Sequence, residues 1–273
     1  MSTPDTAANV SKAETSPVQY EKKNGVAIFT IDREDRMNSL SRATLFALGE
    51  FTRRALADSE VRAIVLIGRG EKAFCAGADL KERQGMSEND IRVQVGLYRS
   101  ELGPLDRSPK PVIGAINGVA LGGGMELALV CDLRVAAPHA SFALPETTLG
   151  IIPGAGGTQR LPRVVGEARA KEMILLGRRI DAPTALAWGL VQRVAPQAAS
   201  LLDDVLEWIR PITEGAPIAQ AAALEAIDRA ADTNLDLGLE LERVSYDRVL
   251  VSEDRREALK AFAEKRKPLF RGI

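Results

Sequence analysis

Runs of hydrophobic residues divide the first two thirds of the chain into strands and helices. The segment VQYEKKNGVAIFTID places two strand-like runs on either side of Asn24 and Gly25, a dipeptide that favours a two-residue hairpin turn. The stretches VRAIVLIGRG and PVIGAING are short, apolar and bounded by glycine or proline, which predicts buried strands, and LRVAAP predicts another. Between these strands, Ser41 is expected to cap a helix that carries Leu45 and Leu48 on one face.

The pattern changes towards the C-terminus. The segment GGGMELALVCD follows a glycine turn with strong helix formers, so it predicts a helix that begins at glycines 122–124. From about residue 166 the pattern is mainly helical, broken at Gly189 and by the strand-like LVQRVAP. Asp181 and Ser252 are the expected N-caps there. Apolar residues at helical spacing follow: Leu237, Leu241 and Val244.

The chain is therefore expected to form an α/β core at 18–200 and a helical region at 201–273, preceded by a disordered tail at 1–17. The tail, MSTPDTAANVSKAETSP, is small and polar, contains acids and lacks the apolar core of a signal peptide. No apolar run approaches the roughly 18 residues that a membrane span requires. The expectation is a cytoplasmic protein that makes no contact with a membrane.

Composition narrows the range of functions. The 273 residues are 45% hydrophobic and 27% charged, which is enough to bury a large core. A net charge of −1 provides no long-range field for a polyanion, so nucleic acid is not an expected partner. Cys75 and Cys131 form no Cys-x-x-Cys pair, so neither a disulfide framework nor a metal site is expected.

Two frequent kinds of chemistry find little support in the sequence. His139 is the only histidine, in the turn-like AAPHAS, so a nucleophilic triad would depend on that one residue, and a surface loop is the better interpretation. Neither GGGMEL nor GAGGTQ completes a G-x-G-x-x-G fingerprint, and the phosphate-binding G-x-x-x-x-G-K-[ST] is absent from the sequence. A nucleotide cofactor is therefore not indicated.

Acid and base chemistry by carboxylates remains. Glu126 and Glu146 lie on elements that otherwise look apolar, and glycines 122–124 open a helix whose unpaired N–H groups could stabilise an anion. Each feature also has a purely structural interpretation. The glycines could serve tight packing between a strand and a helix, and either glutamate could be a solvated acid at a helix end.

Four blocks of residues, in order, resemble the enoyl-CoA hydratase/isomerase family, also called the crotonase family. They are FCAGADLKER at 74–83, ALGGGMELALVCDLRVAA at 120–137, PETTLGIIPGAGGTQRLPR at 145–163 and EDRREALKAFAEKRKP at 253–268. The resemblance extends over residues 18–273. It implies a spiral of ββα units with a helical C-terminal region used for trimerisation, commonly as a dimer of trimers.

The resemblance also implies an activity, the addition of water across the 2,3 double bond of a 2-enoyl-CoA thioester to give a 3-hydroxyacyl-CoA. Glu146 would be the acid/base that serves the α-carbon, and Glu126 would activate and orient the water. The backbone N–H groups of Ala78 and Gly123 would form the oxyanion hole, and Gly154 would help to hold the water. Coenzyme A, as part of the substrate and with no further cofactor, would be bound by Ala76, Asp79, Leu80, Lys81 and Lys265.

Three alternatives stay open. An isomerase that moves the double bond from position 3 to position 2 usually needs one acid, so the presence of both glutamates favours hydration. NSLS, GADLKER and the LPR after GGTQR resemble hydratases of 3-methylglutaconyl-CoA, whereas FALPETTLG looks more like the short-chain hydratases. RNA binding, known in one member of that subgroup, would need a cationic helix. The helix expected after Ser41 carries only Arg42, Arg53 and Arg54, which form a thin patch of positive charge.

Overall fold

The computed structural model describes residues 16–273, so residues 1–15 of the expected tail lie outside the described residues. The fold opens with the predicted hairpin, in which β1 (Val18–Lys23) pairs antiparallel with β2 (Val26–Ile31). Asn24 and Gly25 have φ angles of 50° and 76°, the left-handed values that a two-residue type I′ turn requires. The hairpin prediction is confirmed.

Two sheets organise the rest of the core. After β1 and β2, the larger sheet continues in the order β3 (Ala63–Gly68), β5 (Val112–Ile116), β7 (Leu133–Ala136) and β10 (Arg193–Val194), all parallel to β2. The smaller sheet has the order β4 (Ala73–Cys75), β6 (Val119–Leu121), β8 (Ser141–Ala143) and β9 (Ile180–Asp181). Its first three strands are parallel, and β9 pairs antiparallel with β8.

Helices connect the strands and make up the C-terminal region. The core contains α1 (Arg42–Ala57), α2 (Leu80–Arg83), α3 (Glu88–Asp106), α4 (Gly123–Val130), α5 (Gly157–Val165), α6 (Glu167–Leu175) and α7 (Ala182–Ala187). The C-terminal region contains α8 (Leu201–Trp208), α9 (Arg210–Thr213), α10 (Pro217–Ala230), α11 (Leu235–Leu250) and α12 (Glu253–Ala263). Short 3₁₀ turns occur at Glu34–Arg36 and Glu146–Leu149.

A repeated step along the chain produces the two sheets. In each repeat, one strand joins the larger sheet, the next joins the smaller sheet, and a helix follows. The strands β3 and β4 precede α2 and α3, β5 and β6 precede α4, and β7 and β8 precede α5. This is the spiral of ββα units that the resemblance implied, and the expected fold is confirmed.

The predicted helix starts are also present. Ser41 Oγ accepts a hydrogen bond from Thr44 N at 3.2 Å, Asp181 Oδ1 from Thr184 N at 2.9 Å, and Ser252 Oγ from Arg255 N at 3.2 Å. Leu45 and Leu48 of α1 are fully buried, as expected from their spacing. The hydrophobic pattern did not predict the helix α3. It also did not predict β4, β6, β8 and β9, because strands of two or three residues are too short for alternation to be seen.

The C-terminal region leaves much of its apolar surface uncovered on the single chain. Leu237 and Val244 of α11 are 51% and 53% exposed, and Phe262 of α12 is 86% exposed. The chain end folds back, since Asp254 accepts hydrogen bonds from the backbone N–H groups of Arg271 and Gly272 at 2.7 and 2.9 Å. Within residues 16–273, no helix is long and apolar enough to cross a membrane.

Candidate active site

Glycines allow α4 to bring Glu126 into the centre of the molecule. Gly122, just before α4, has a φ of 52°, and a Cβ on Gly124 would overlap the carbonyl oxygen of Cys75 in β4. The helix can therefore lie directly on the smaller sheet only because residue 124 has no side chain. Glu126, in the first turn of α4, is consequently 3% exposed.

Two backbone donors hold the Glu126 carboxylate. Its Oε1 accepts hydrogen bonds from Ala155 N at 2.7 Å and from Gly157 N at 2.8 Å, where the loop before α5 turns into that helix. Burial raises the pKa of Glu126 above its ordinary value, and the two N–H groups reduce that shift by favouring the charged form. The carboxylate is thus fixed in position and still has Oε2 to offer to a ligand.

Glu146 has a different environment. It is the first residue of the 3₁₀ turn after Pro145, and it is 9% exposed. Its Oε1 lies 3.1 Å from the position that a Cβ on Gly122 would take, and its buried Oε2 has no hydrogen-bond partner in the described part of the chain. Burial, followed by repulsion from Glu126, raises the pKa of Glu146 to about 7. The charge of Glu126 thus acts on Glu146, although the two side chains have different hydrogen-bond partners.

Ala78 and Gly123 bring two backbone N–H groups together next to the glutamates. A Cβ on Gly123 would lie 3.5 Å from Ala78 N, and a Cβ on Gly77 would lie 3.3 Å from Gly123 N. The bonds Leu40 N to Gly77 O and Asp79 N to Leu40 O fix the backbone on both sides of Ala78. Neither the Ala78 nor the Gly123 N–H donates to an acceptor among residues 16–273, so both are free to bind an anion. We call this pair the anion pocket.

Asp79 has a structural partner that the sequence did not reveal. Its carboxylate accepts from Arg33 Nη2 at 2.7 Å and from the N–H groups of Lys81 and Glu82, so it caps α2. Burial works to raise the pKa of Asp79, but these bonds and the charge of Arg33 outweigh it and hold the pKa below its ordinary value. The backbone of Asp79 is also paired, since its N–H donates to Leu40 O at 3.1 Å and its carbonyl oxygen accepts from Arg83 N at 3.2 Å.

The other residues expected to bind the coenzyme lie in two places. Ala76 is half-buried beside the anion pocket and donates its N–H to Met37 O at 3.0 Å. Leu80 is 59% exposed, and Lys81 is exposed on the same short helix α2. Lys265 is exposed beyond the end of α12, with a φ of 55°. Lys265 thus belongs to a different region of the chain from Lys81.

A cavity of about 820 Å³ is lined by Tyr98 and by Ala155, which donates to Glu126, but neither glutamate lines it. It lies between α3, the end of α4, the loop at 154–156, α5 and the end of α10. Gly154, the residue expected to help position water, lines this cavity together with Tyr98. Arg160 and Asp106 form a bidentate ion pair on the wall of the cavity, in which Nε and Nη2 of Arg160 donate at 2.9 and 2.7 Å. The cavity therefore meets the site at Tyr98 and at the loop that holds Glu126.

Two polar residues at the site were not identified from the sequence. Tyr98 of α3 is 5% exposed, and its hydroxyl has no hydrogen-bond partner among the described residues. Arg83, at the end of α2, donates from Nε to Gln94 Oε1 at 2.7 Å, and its charge slightly opposes the rise in the pKa of Glu126 that burial causes. Arg83 lies inside the quoted block FCAGADLKER and could have been noticed there, whereas no local signal marks Tyr98.

The single histidine is exposed on a loop, and the two cysteines are buried free thiols. His139 is exposed in a loop, with Nε2 at 2.7 Å from Glu71 O, which confirms the surface interpretation. Cys75 and Cys131 are free, and burial raises the pKa of both thiols to about 12. No group of metal-binding side chains was found in the stretch from residue 16 to the C-terminus.

Comparison with known proteins identifies the class. The family model for enoyl-CoA hydratase/isomerase matches residues 21–272. A crystal structure of an enoyl-CoA hydratase from Bacillus anthracis superposes with a TM-score of 0.92 at 45% identity, covering 94% of this chain and 100% of that one. The chain belongs to the enoyl-CoA hydratase/isomerase family.

Curated relatives within the family differ in their substrates. The short-chain-enoyl-CoA hydratase of Clostridium acetobutylicum is 40% identical over 258 residues, which cover 93% of this chain and 97% of that protein. The human mitochondrial methylglutaconyl-CoA hydratase is also 40% identical, over 255 residues that cover 92% of this chain and 75% of that protein. Overall identity therefore does not distinguish an unbranched from a branched acidic substrate.

Proposed function

We propose that this protein is an enoyl-CoA hydratase, which adds water across the 2,3 double bond of a 2-enoyl-CoA thioester to give a 3-hydroxyacyl-CoA. One observation carries the proposal. Two buried carboxylates, Glu126 and Glu146, lie in different environments beside two unused backbone donors, at Ala78 and Gly123. Hydration needs one group to activate water, another to protonate the α-carbon, and donors for the enolate oxygen between them.

The environments of the two glutamates suggest how the roles divide. Glu126 is held by the N–H groups of Ala155 and Gly157, which favour its charged form, so it accepts the proton of the water and directs the oxygen at the β-carbon. Glu146, with a pKa raised to about 7, carries the proton that is delivered to the α-carbon. The N–H groups of Ala78 and Gly123 stabilise the negative charge that develops on the thioester oxygen.

The proposal extends to the coenzyme. Backbone groups near Ala76 and Asp79 and the apolar surface of Leu80 bind the adenine end, and Lys81 faces the phosphates. Lys265, on the C-terminal region, contributes to the same coenzyme or to one bound by a neighbouring subunit. Gly154 helps to hold the water at the edge of the cavity. The reaction needs no cofactor beyond the coenzyme A of the substrate, and we propose that it takes place in the cytoplasm.

Replacement of each glutamate by glutamine tests the mechanism. Removing a general acid or base typically lowers the rate by about 10²- to 10⁴-fold, so hydration of crotonyl-CoA, followed by loss of the conjugated thioester absorbance, should collapse in both Glu126→Gln and Glu146→Gln. Glu88→Gln, at a fully exposed side chain on α3, is the matched control and should keep the wild-type rate. Exchange of the α-proton of butyryl-CoA with deuterated solvent should suffer more in Glu146→Gln, because it needs no water nucleophile.

Two results would contradict the proposal. Near-normal hydration by Glu126→Gln would rule out the two-carboxylate mechanism. If that same variant also shifted a 3-enoyl-CoA to a 2-enoyl-CoA efficiently, the protein would be an isomerase that needs only Glu146.

A second candidate substrate is 3-methylglutaconyl-CoA, and Arg83 is the observation that favours it. Within the described residues, Arg83 has no carboxylate within 4.0 Å, and its charge acts on both Glu126 and Tyr98. A cation in that position could bind the distal carboxylate of a branched acidic acyl chain. Arg83→Met should then lower kcat/KM for 3-methylglutaconyl-CoA and leave that for crotonyl-CoA unchanged; an equal effect on both would exclude this role.

RNA binding gains no support from the surface of α1. Arg42 forms an ion pair with Glu82, Arg53 forms one with Glu101, and Arg54 lies 4.2 Å from the ring centre of Tyr20. Each arginine of the thin patch thus has a partner on the protein itself. We therefore do not propose nucleic acid as a ligand.

A further inference from the structure

Tyr98 presents a buried polar group that the proposed mechanism does not use. It lies in the middle of α3 and is 5% exposed, yet its hydroxyl has no hydrogen-bond partner in the part of the chain that the structure describes. A buried hydroxyl without a partner is destabilising relative to a paired one, because no hydrogen bond offsets its loss of water. Phenylalanine would fill the same space without that cost, so the hydroxyl calls for a functional explanation.

The hydroxyl lies at the anion pocket. The position that a Cβ on Gly123 would take is 3.4 Å from Tyr98 Oη and 3.3 Å from Tyr98 Cε1. The same position is 3.5 Å from Ala78 N. The phenol, the Ala78 amide and the start of α4 therefore converge on one small volume, which stays open because residue 123 has no side chain.

Tyr98 acts there in its neutral form, with a proton that it can donate. Burial, followed by the nearby Cys75, raises the pKa of the phenol; Arg83 acts in the opposite direction and Glu126 in the same direction, with smaller effects. The hydroxyl therefore keeps its proton throughout the neutral range. A protonated phenol that lacks an acceptor on the protein is available to an acceptor on the ligand.

We infer that the Tyr98 hydroxyl is a third hydrogen-bond donor of the anion pocket and binds the thioester oxygen as it gains the charge of the enolate. The inference rests on the proposed function. Two amide donors can place an oxygen between Ala78 and Gly123, and a third donor from the side of α3 adds stabilisation that grows with the charge. Tyr98 is then a catalytic residue in the sense that it touches the reacting atoms.

The variant Tyr98→Phe separates this role from a packing role, because it removes only the hydroxyl oxygen. The ligand-free variant should have a melting temperature equal to or higher than that of the wild type, since an unpaired buried group is lost. Its kcat/KM for crotonyl-CoA should fall by about 10- to 100-fold, the range for one hydrogen bond to a charged group. Tyr246→Phe, at a residue 61% exposed on α11, is the matched control and should change neither quantity.

A spectroscopic probe measures the stabilisation of the anion without turnover. Acetoacetyl-CoA forms an enolate that absorbs in the near ultraviolet, and the wild-type protein should lower the pH at which the bound probe ionises. In Tyr98→Phe that apparent pKa should rise by about one to two units, because a tenfold loss in stabilisation of the anion equals one unit. Affinity for butyryl-CoA, which carries no such charge, should stay within about twofold of the wild type.

The outcomes are distinguishable. An active wild-type protein whose Tyr98→Phe variant keeps both its rate and the ionisation of the probe would overturn the inference and leave the proposed function intact. A wild-type protein that hydrates no enoyl-CoA would overturn the proposed function. The ionisation of bound acetoacetyl-CoA in Tyr98→Phe and in the wild type would then test separately whether Tyr98 stabilises the anion. Loss of butyryl-CoA affinity equal to the loss of rate would show that the hydroxyl serves ground-state binding and would also overturn the inference.

Discussion

At the scale of single residues, the site depends on two carboxyl groups kept in unequal environments. Glu126 has two backbone donors and Glu146 has none on its buried Oε2, so burial acts on both groups but is offset mainly at Glu126. The pair is coupled, because the charge of Glu126 contributes to raising the pKa of Glu146. Two carboxyl groups whose surroundings act differently on their pKa values are suited to dividing the roles of acid and base.

The raised pKa of Glu146 has a consequence for stability. Its folded-state pKa of about 7 lies above the ordinary value of 4.5, so the contribution of this group is fully present below pH 4.5 and is lost as the pH rises through 7. Glu146→Gln, which stays neutral, should therefore raise the melting temperature at pH 8 and change it little at pH 5. Thermal unfolding followed by circular dichroism at both pH values measures this, with Glu88→Gln as control. An equal shift at both pH values would contradict the assignment.

We expect ionic contacts between lysines and phosphates to contribute to binding of the coenzyme. Lys81 is exposed on α2, and an ionic contact with a phosphate is weakened by salt. Lys81→Ala and Lys265→Ala should each raise KM for acyl-CoA and flatten its dependence on salt concentration. Lys23→Ala, at an exposed lysine on β1, should leave both unchanged. Steady-state kinetics at several salt concentrations provide the measurement, and an unchanged KM in both variants would remove the support for these phosphate contacts.

Residues differ in how far the sequence alone could identify them. Glu126, Glu146, Ala78 and Gly123 belong to short motifs of glycine, proline and acid, and the structure brings all four together. Tyr98 could not be found in this way. It reaches the anion pocket from the middle of a helix with no motif around it, so its role depends entirely on tertiary packing.

At the scale of elements, the loop before α5 and the start of that helix hold the carboxylate of Glu126 in position. The N–H groups of Ala155 and Gly157 are donors at the loop and at the first residue of α5, and both reach Glu126. The start of a helix leaves such groups unpaired, which makes it a suitable partner for a carboxylate. The orientation of Glu126 is thus set by a segment about 30 residues further along the chain.

A methyl group at residue 157 should disturb this arrangement. A Cβ there would lie 2.9 Å from Pro153 Cβ, 3.0 Å from Leu144 Cδ1 and 3.1 Å from Glu126 Cγ. Gly157→Ala should therefore displace Glu126 and lower kcat for hydration by at least about tenfold, with the protein still folded. Gly96→Ala is the control, since a Cβ on that exposed position of α3 would meet nothing within 4 Å. Wild-type kcat in Gly157→Ala would show that the position of Glu126 tolerates this shift.

The elements were predicted unequally, and length explains the strands that were missed but not the 19-residue helix α3. The hairpin at Asn24 and the strand β3 each have six residues per strand, enough to show a pattern, and β5 and α4 were found with them. The smaller sheet was missed because its strands of two or three residues are held by pairing with one another. Its parallel strands come from separate repeats of the chain, so no local pattern could indicate that they meet.

At the scale of the whole molecule, the C-terminal region exposes several large apolar side chains. Val251 is 71% exposed, and Leu259, Phe262 and Leu269 are 59%, 86% and 69% exposed. Large apolar side chains that are exposed on one chain are often buried at an interface between proteins. We propose, as the family resemblance implies, that it is covered in a trimer or in a dimer of trimers.

Point substitutions test this assembly without disturbing the chain end. Truncation before Ser252 would also remove Asp254, which is buried and holds the backbone of Arg271 and Gly272, so a folding defect could be mistaken for loss of assembly. Leu259→Glu combined with Phe262→Glu places two charges on an exposed surface of the single chain, and the helix itself should persist. Light scattering should then report a smaller species than the wild type, with unchanged circular dichroism.

Activity should fall together with the assembly, because Lys265 follows α12 directly and an altered position of this region would remove it from the coenzyme. The expected result is a higher KM for crotonyl-CoA in the double variant, with a smaller effect on kcat, since Glu126 and Glu146 belong to the core. Lys260→Gln, at an exposed position of the same helix, is the control and should keep the wild-type size and KM. A double variant that stayed the size of the wild type would contradict the proposed interface, and a fully active wild-type monomer would contradict the need for any assembly.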